Sequence, residues 1–190
     1  MTMSAQKLAK PALAAATVAA TLLASSYAGS AGTITRDDQY PFYGPGLVNY
    51  VASQGQFPAV FVNAPFAVKN LTPQLQLPGY FATAPIVAVA PEARKDGHLV
   101  LVFDPAQNYP TGKAACAAPE QFANSRLDPT LRLQAVFCYN SDPVSEAYLE
   151  TPRPQSAADP GFRQSLNQLM ASLLPQRTAD GEQCRTAPNC

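Results

Sequence analysis

Residues 1–31 are laid out as an export leader, and that layout governs how the rest of the chain can fold. Met1–Lys10 carries Lys7 and Lys10 and no acid. Residues 11–24 are uncharged and rich in Ala, Leu and Val, and Ser25-Ser26-Tyr27-Ala28-Gly29-Ser30-Ala31 supplies small residues for cleavage. Cleavage after Ala28 places Ser26 and Ala28 at the small-residue positions, and cleavage after Ala31 would place Gly29 and Ala31 there; we prefer Ala28. A spanning helix needs roughly 20 apolar residues, more than residues 11–24 supply, so the segment reads as a signal peptide rather than an anchor. No later stretch is apolar enough to span a bilayer. The expected location is the periplasm or the medium.

Export changes the meaning of the cysteines. Cys116, Cys138, Cys184 and Cys190 all survive processing, and an even count in an oxidising compartment points to disulfides. Three connectivities are open, and spacing alone does not choose among them. We favour Cys116 with Cys138 and Cys184 with Cys190, because each pair is local. Zinc is the competing reading, but the cysteines lack the two-residue spacing of zinc ribbons and redox motifs.

The charge inventory excludes several function classes. The 190 residues hold 13 Lys+Arg and 13 Asp+Glu, with 14% charged and 47% apolar residues. That is too apolar and too sparsely charged for a disordered chain. Losing Lys7 and Lys10 with the leader leaves 11 cations against 13 acids, whereas nucleic-acid binding needs a concentrated cationic excess. A mature chain of this length buries roughly 70% of its unfolded surface, enough for one core.

The chain divides into a signal peptide at 1–28, an extended lead at 29–43, one domain at 44–175 and a disulfide-tied tail at 176–190. Gly44-Pro45-Gly46 is expected to break the chain, with a short helix following from Leu47 to Ser53 and ending at Gly55. Ala59–Val62 reads as a buried strand and Leu71–Leu77 as one or two helical turns. Leu99–Phe103, five consecutive apolar β-formers, predicts a central strand buried on both faces. Residues 84–91 predict another strand, joined to it by a hairpin loop at Glu92–His98. Leu131–Tyr139 alternates, Asn140-Ser141-Asp142-Pro143 turns, and Val144–Leu149 returns as a second arm. Asp159-Pro160 caps a helix with apolar residues at 162, 166, 169, 170 and 173. The expected fold class is α+β: a mainly antiparallel sheet with helices packed on one face, braced by disulfides.

Several of these segments carry a resemblance. Asn63-Ala64-Pro65-Phe66 after a strand, Leu99–Phe103 followed by Asp104-Pro105, Cys116-Ala117, Ala135-Val136-Phe137-Cys138, and Asp159-Pro160-Gly161-Phe162 leading to Leu173-Leu174-Pro175 together resemble small exported proteins of Gram-negative bacteria with no assigned function. The likeness covers residues 45–175. It implies export and the first disulfide, and it transfers no activity.

Candidate chemistry is sparse. A serine-type hydrolase needs a base, and with one histidine that base is His98, placed in a charged loop; no Gly-x-Ser-x-Gly elbow accompanies it. Metal ligation would need carboxylates gathered around that one histidine. Glycoside hydrolysis needs two acids flanking a cleft, but Asp104, Asp128, Asp142 and Asp159 all precede proline, where caps and turns are the usual outcome. Asp37 and Asp38 fall in the lead, and Glu146 and Glu150 on what reads as an edge hairpin. Tyr40, Phe42 and Tyr43 are the candidate ligand or partner contacts, the plainer alternative being that they clamp the lead to the sheet. The functional expectation is an exported, non-catalytic accessory or binding protein of the cell envelope, without cofactor or metal, meeting an envelope protein or a small ligand. A small periplasmic hydrolase using His98 or scattered carboxylates, and a secreted enzyme inhibitor, are the alternatives.

Overall fold

The structure is a computed structural model that describes residues 32–94, 96–105, 109–123 and 128–177. The leader with its cleavage sites, and Cys184 and Cys190, lie outside the described residues.

The Leu99–Phe103 run forms most of β4 (Gly97–Phe103), all seven residues of which are buried. On one side β4 pairs with β5 (Thr130–Tyr139), which turns at Asn140 into β6 (Asp142–Pro152). The turn relies on Asn140 at φ 56, a left-handed conformation that asparagine tolerates. On its other side β4 pairs with β2 (Phe57–Val62), and β2 in turn with the three-residue β3 (Ile86–Ala88). β1 (Thr33–Gln39) closes the far edge against β6, giving the order β1-β6-β5-β4-β2-β3.

Two expectations about this sheet are corrected. It is mixed rather than mainly antiparallel, since β2 runs parallel to both β3 and β4. The reason lies in β2, whose residues are buried along nearly their whole length. Such a strand needs neighbours on both sides and cover on both faces, the environment of a parallel sheet interior. β2 therefore occupies the place beside β4 that a hairpin from β3 would have taken. Nor do the helices, few as they are, share one face. α1 (Pro45–Ala52), α2 (Val68–Leu71) and α4 (Pro160–Leu173) cover the face carrying Phe57, Leu99, Leu101, Leu133 and Phe137. The opposite face carries Val60, Val62, Val100, Val102 and Val136, and α3 (Gly112–Ala117) packs there through Ala115 and Cys116. A strand apolar at every position presents hydrophobic side chains to both faces, so each needs its own cover.

The Cys116–Cys138 disulfide is formed, with Cα atoms 5.7 Å apart, and ties α3 to β5. Other local expectations hold in outline. Pro45 begins α1 with Gly44 at its N-cap, so Gly44-Pro45-Gly46 starts the helix rather than merely interrupting the chain. Gly55, at φ 85, follows its end. In α4 the Asp159 carboxylate accepts the Phe162 N–H at 3.0 Å, and Phe162, Leu166, Leu169, Met170 and Leu173 are all buried. Replacing Asp159 by alanine removes that acceptor and is expected to lower stability by about 1 kcal/mol, read as a lower denaturant midpoint with an unchanged m-value.

Candidate functional site

The lead segment enters the sheet as β1 with Asp38 directly opposite Glu146 and Arg36 opposite Tyr148. This converts β6 from an edge into an interior strand and buries Glu146 and Tyr148, each 2% exposed. Gln134 on β5, 0% exposed, faces the same space. A polar knot results. Tyr40 Oη donates to Glu146 Oε1 at 3.0 Å, and the Gln134 amide donates to Glu146 Oε2 at 3.3 Å, to Tyr148 Oη at 3.1 Å and to the Pro110 carbonyl at 2.8 Å. Arg36 forms an ion pair with Asp38, approaches Glu146 Oε1 at 3.6 Å and lies 5.2 Å above the centre of the Tyr148 ring. Tyr109 meets that ring edge-on at 4.6 Å.

This knot is sealed rather than open. Gly112 at the start of α3 sits so close that a Cβ there would lie 2.7 Å from Glu146 Oε2 and 2.9 Å from Pro143 Cβ. Both carboxylate oxygens already accept donors from the chain itself. The sequence separates Tyr40 from Glu146 by 106 positions, and no spacing signals their meeting.

The environment favours neutral phenols. Burial, then the hydrogen bond to Glu146, pushes Tyr40 up to about 12, and burial, then the charge of Glu150, pushes Tyr109 to about 12. Tyr148 is raised by burial and by the Glu146 charge, and Tyr43 by burial. A phenol raised from its ordinary 10.0 favours the folded state while protonated. That stabilisation is complete below pH about 10 and is lost as pH climbs through about 12. Alkaline unfolding is therefore expected in that window, with the phenolate absorbance rising together with loss of near-ultraviolet circular dichroism. Half-ionisation of Tyr40 and Tyr109 at pH about 10, with the fold intact, would contradict it.

The three aromatic candidates have separate fates. Tyr43 is buried and donates to the Pro175 carbonyl, Tyr40 turns to Glu146, and Phe42 stands 81% exposed. Two of the three thus fasten the lead, and one is offered to solvent. His98 does not lie in a loop: it is the second residue of β4, paired with Cys138 and 1% exposed. The Gly97 and His98 backbone continues the ladder of the apolar run, which outweighs the charged residues just before it. Of the aspartates preceding prolines, Asp159 caps α4 and the other three meet cationic side chains. Asp104, at φ 44, accepts the Arg132 N–H at 3.1 Å and pairs with Arg153 at 2.6 Å. Asp128 pairs with Arg132 at 3.0 Å, and Asp142 with Lys113. Among the described residues no group of three or more His, Cys, Asp or Glu is placed to hold a metal, and no helix is long and apolar enough to cross a membrane.

A groove of about 690 Å³ is lined by residues between Thr72 and Ile86, in the connection from β2 to β3. Leu75, Leu77, Phe81 and Ile86 contribute its apolar wall, and none of its twelve lining residues is ionisable.

No protein-family model and no curated protein matches the chain. Among solved structures, the PelC dodecamer from Paraburkholderia phytofirmans is similar at 13% identity and a TM-score of 0.35, over 77% of this chain and 99% of that one. A single-residue variant of the same dodecamer is similar at 14% identity and the same TM-score and coverage. At that TM-score the likeness assigns neither a fold nor a role to this chain.

Proposed function

We propose that this chain is an exported, non-catalytic binding or accessory protein of the bacterial cell envelope, acting in the periplasm or medium after loss of residues 1–28. The observation that carries this reading is how the buried polar side chains are used. The Glu146 carboxylate takes Tyr40 and Gln134, and that of Asp104 takes Arg132 and Arg153. Catalysis instead needs a group aimed at a space where a reacting atom can sit. The Cys116–Cys138 bond fits an oxidising compartment, and aromatic side chains such as Phe42 and Tyr50 stand exposed, as surfaces that meet partners often do.

Fractionation of the native host with intact-mass analysis tests the compartment. The expected species begins at Gly29, sits outside the cytoplasm, and resists alkylation at Cys116 and Cys138 until reduced. A full-length cytoplasmic chain with reduced thiols would overturn it. For the absence of catalysis, a deletion strain is complemented with Glu146→Gln and with His98→Asn. Rescue by both is expected. Loss of rescue at wild-type abundance and melting temperature would favour the hydrolase reading instead.

A further inference from the structure

The open cavity beside α1 is built differently from the sealed knot around Glu146. It measures about 240 Å³ and sits at the end of the sheet where β2 and β4 begin. Its floor is closed by Val51 from α1, Pro58 from β2 and the bare backbone of Gly97 from β4, all buried. A Cβ on Gly97 would lie 2.2 Å from Val51 Cγ2, so this position stays bare; it stands opposite Tyr139 in the β4–β5 ladder. The rim is polar and exposed. Tyr50 is 57% exposed, and Gln54, Gln56 and Asp96 join it. Two of these come from one turn. Gly55, at φ 85, reverses the chain after α1, and Gln54 and Gln56 on either side of it border the same space.

The rim's polar groups are free. Asp104, Asp142 and Glu146 are taken up by Arg153, Lys113 and Tyr40, whereas among the described residues none of the four rim side chains has an internal hydrogen-bond or ion-pair partner. Two primary amides offer donors and acceptors, a carboxylate offers acceptors, and the Tyr50 ring offers an apolar face. An apolar side chain seated here would strip water from the amides and the carboxylate without replacing its hydrogen bonds. A sugar ring meets both demands: its hydroxyls donate and accept, and its C–H face rests on an aromatic ring. The volume is below the roughly 300–1,000 Å³ of sites that enclose a drug-sized ligand, so one ring enters and the rest of a longer chain lies outside. Asp96 is the one acid lining the cavity among the described residues, whereas hydrolysis of a glycosidic bond needs a pair. The cavity is fitted to hold a sugar, not to cut it.

We propose that this cavity binds one ring of a neutral saccharide, stacked on Tyr50 and hydrogen-bonded by Gln54, Gln56 and Asp96. This rests on the reading of the chain as a non-catalytic binding protein and names the class of ligand it takes.

The test uses the mature, oxidised chain, labelled with 15N, and the methyl glycosides of glucose, galactose, mannose and N-acetylglucosamine, each titrated to tens of millimolar. At least one is expected to shift the amides of Tyr50, Gln54, Gln56 and Gly97 saturably, with a millimolar dissociation constant. Tyr50→Ala should weaken it by about tenfold, and Tyr50→Phe should keep wild-type affinity, because the ring and not the hydroxyl supplies the stacking face. Gln56→Ala should weaken it by about threefold. All three variants should melt with the wild type, since both side chains are exposed. No saturable shift with any of the four glycosides, shifts confined to another part of the molecule, or unchanged affinity in Tyr50→Ala overturns the proposal. Tighter binding of N-acetylphenylalaninamide than of every glycoside overturns it in favour of an apolar peptide side chain. Each of these failures leaves the fractionation and rescue results standing, so the broader functional reading is judged separately.

Discussion

Replacing both Cys116 and Cys138 with alanine is expected to cost about 3 kcal/mol, from the chain entropy regained by the unfolded state when a loop of this size is opened. The sequence separation is 22 residues. Both cysteines are 0% exposed and pack in the smaller core with Val60, Val100, Val102 and Val136, so the lost sulfur contacts add to the entropic loss. Against a typical total of 5–15 kcal/mol this is a large share, and the melting temperature should fall by about 6–12 °C for a domain of this size. The damage should also be local. α3 is fastened by the disulfide, by the Gln134 amide on the Pro110 carbonyl, by Arg94 on its last carbonyls and by the Lys113–Asp142 pair. Of these the disulfide alone is covalent. Hydrogen exchange of residues 112–117 should accelerate more than that of α4, which packs on the opposite face. A melting temperature within a degree or so of wild type would contradict the loop argument.

The elements that could be read from the sequence are those whose stability is written locally. Leu99–Phe103 needs no partner to announce a buried strand. The Asp159-Pro160 cap with its apolar stripe announces a helix, and the alternation of Leu131–Tyr139 with the turn after it announces a hairpin; each is found where the pattern places it. The unreadable elements are those made by main-chain pairing with little side-chain burial. β1 contains one apolar residue, Ile34, in seven, so nothing in its composition separates a strand from a polar extension. β3 was legible as a strand within residues 84–91, but its direction was not, because it is set by β2, a decision made twenty-odd residues earlier in the chain. The same gap explains the candidate site. Glu146 reads as a surface residue on an edge hairpin until β1 covers it, and the contact between Tyr40 and Glu146 exists only because the lead is a strand. His98 fails for the converse reason: its charged neighbours suggested a loop, whereas pairing with Cys138 carries β4 back through it. The aromatic triplet was legible as a group. Which member would remain exposed was decided by tertiary packing.

The close approach of α1 to the start of β4 yields a sharper expectation, because a change of sign is at stake. An ideal Cβ built on Gly97 would lie 2.2 Å from Val51 Cγ2, and the three nearest atoms all belong to Val51. Val51 is 4% exposed, and a β-branched side chain in a helix has one strongly preferred χ1, so it cannot swing aside. Gly97→Ala is therefore expected to cost about 1–3 kcal/mol by overpacking. Gly97 is not among the positive-φ glycines, so its backbone accepts alanine without strain, and alanine restricts the unfolded chain more than glycine does. Remove the obstruction and the sign should change. Val51→Ala alone should cost about 2 kcal/mol through lost burial and a small cavity. In that background Gly97→Ala should be neutral or stabilising, since its methyl then fills space that the valine vacated. The double-mutant cycle should give a coupling of about 1–3 kcal/mol, the double variant being more stable than the sum of its parts. Additive costs in urea melts would mean that α1 and β4 do not meet through these two residues. The packing of α1 over the sheet, which sets the position of Tyr50 beside Tyr139, would then have to be redrawn.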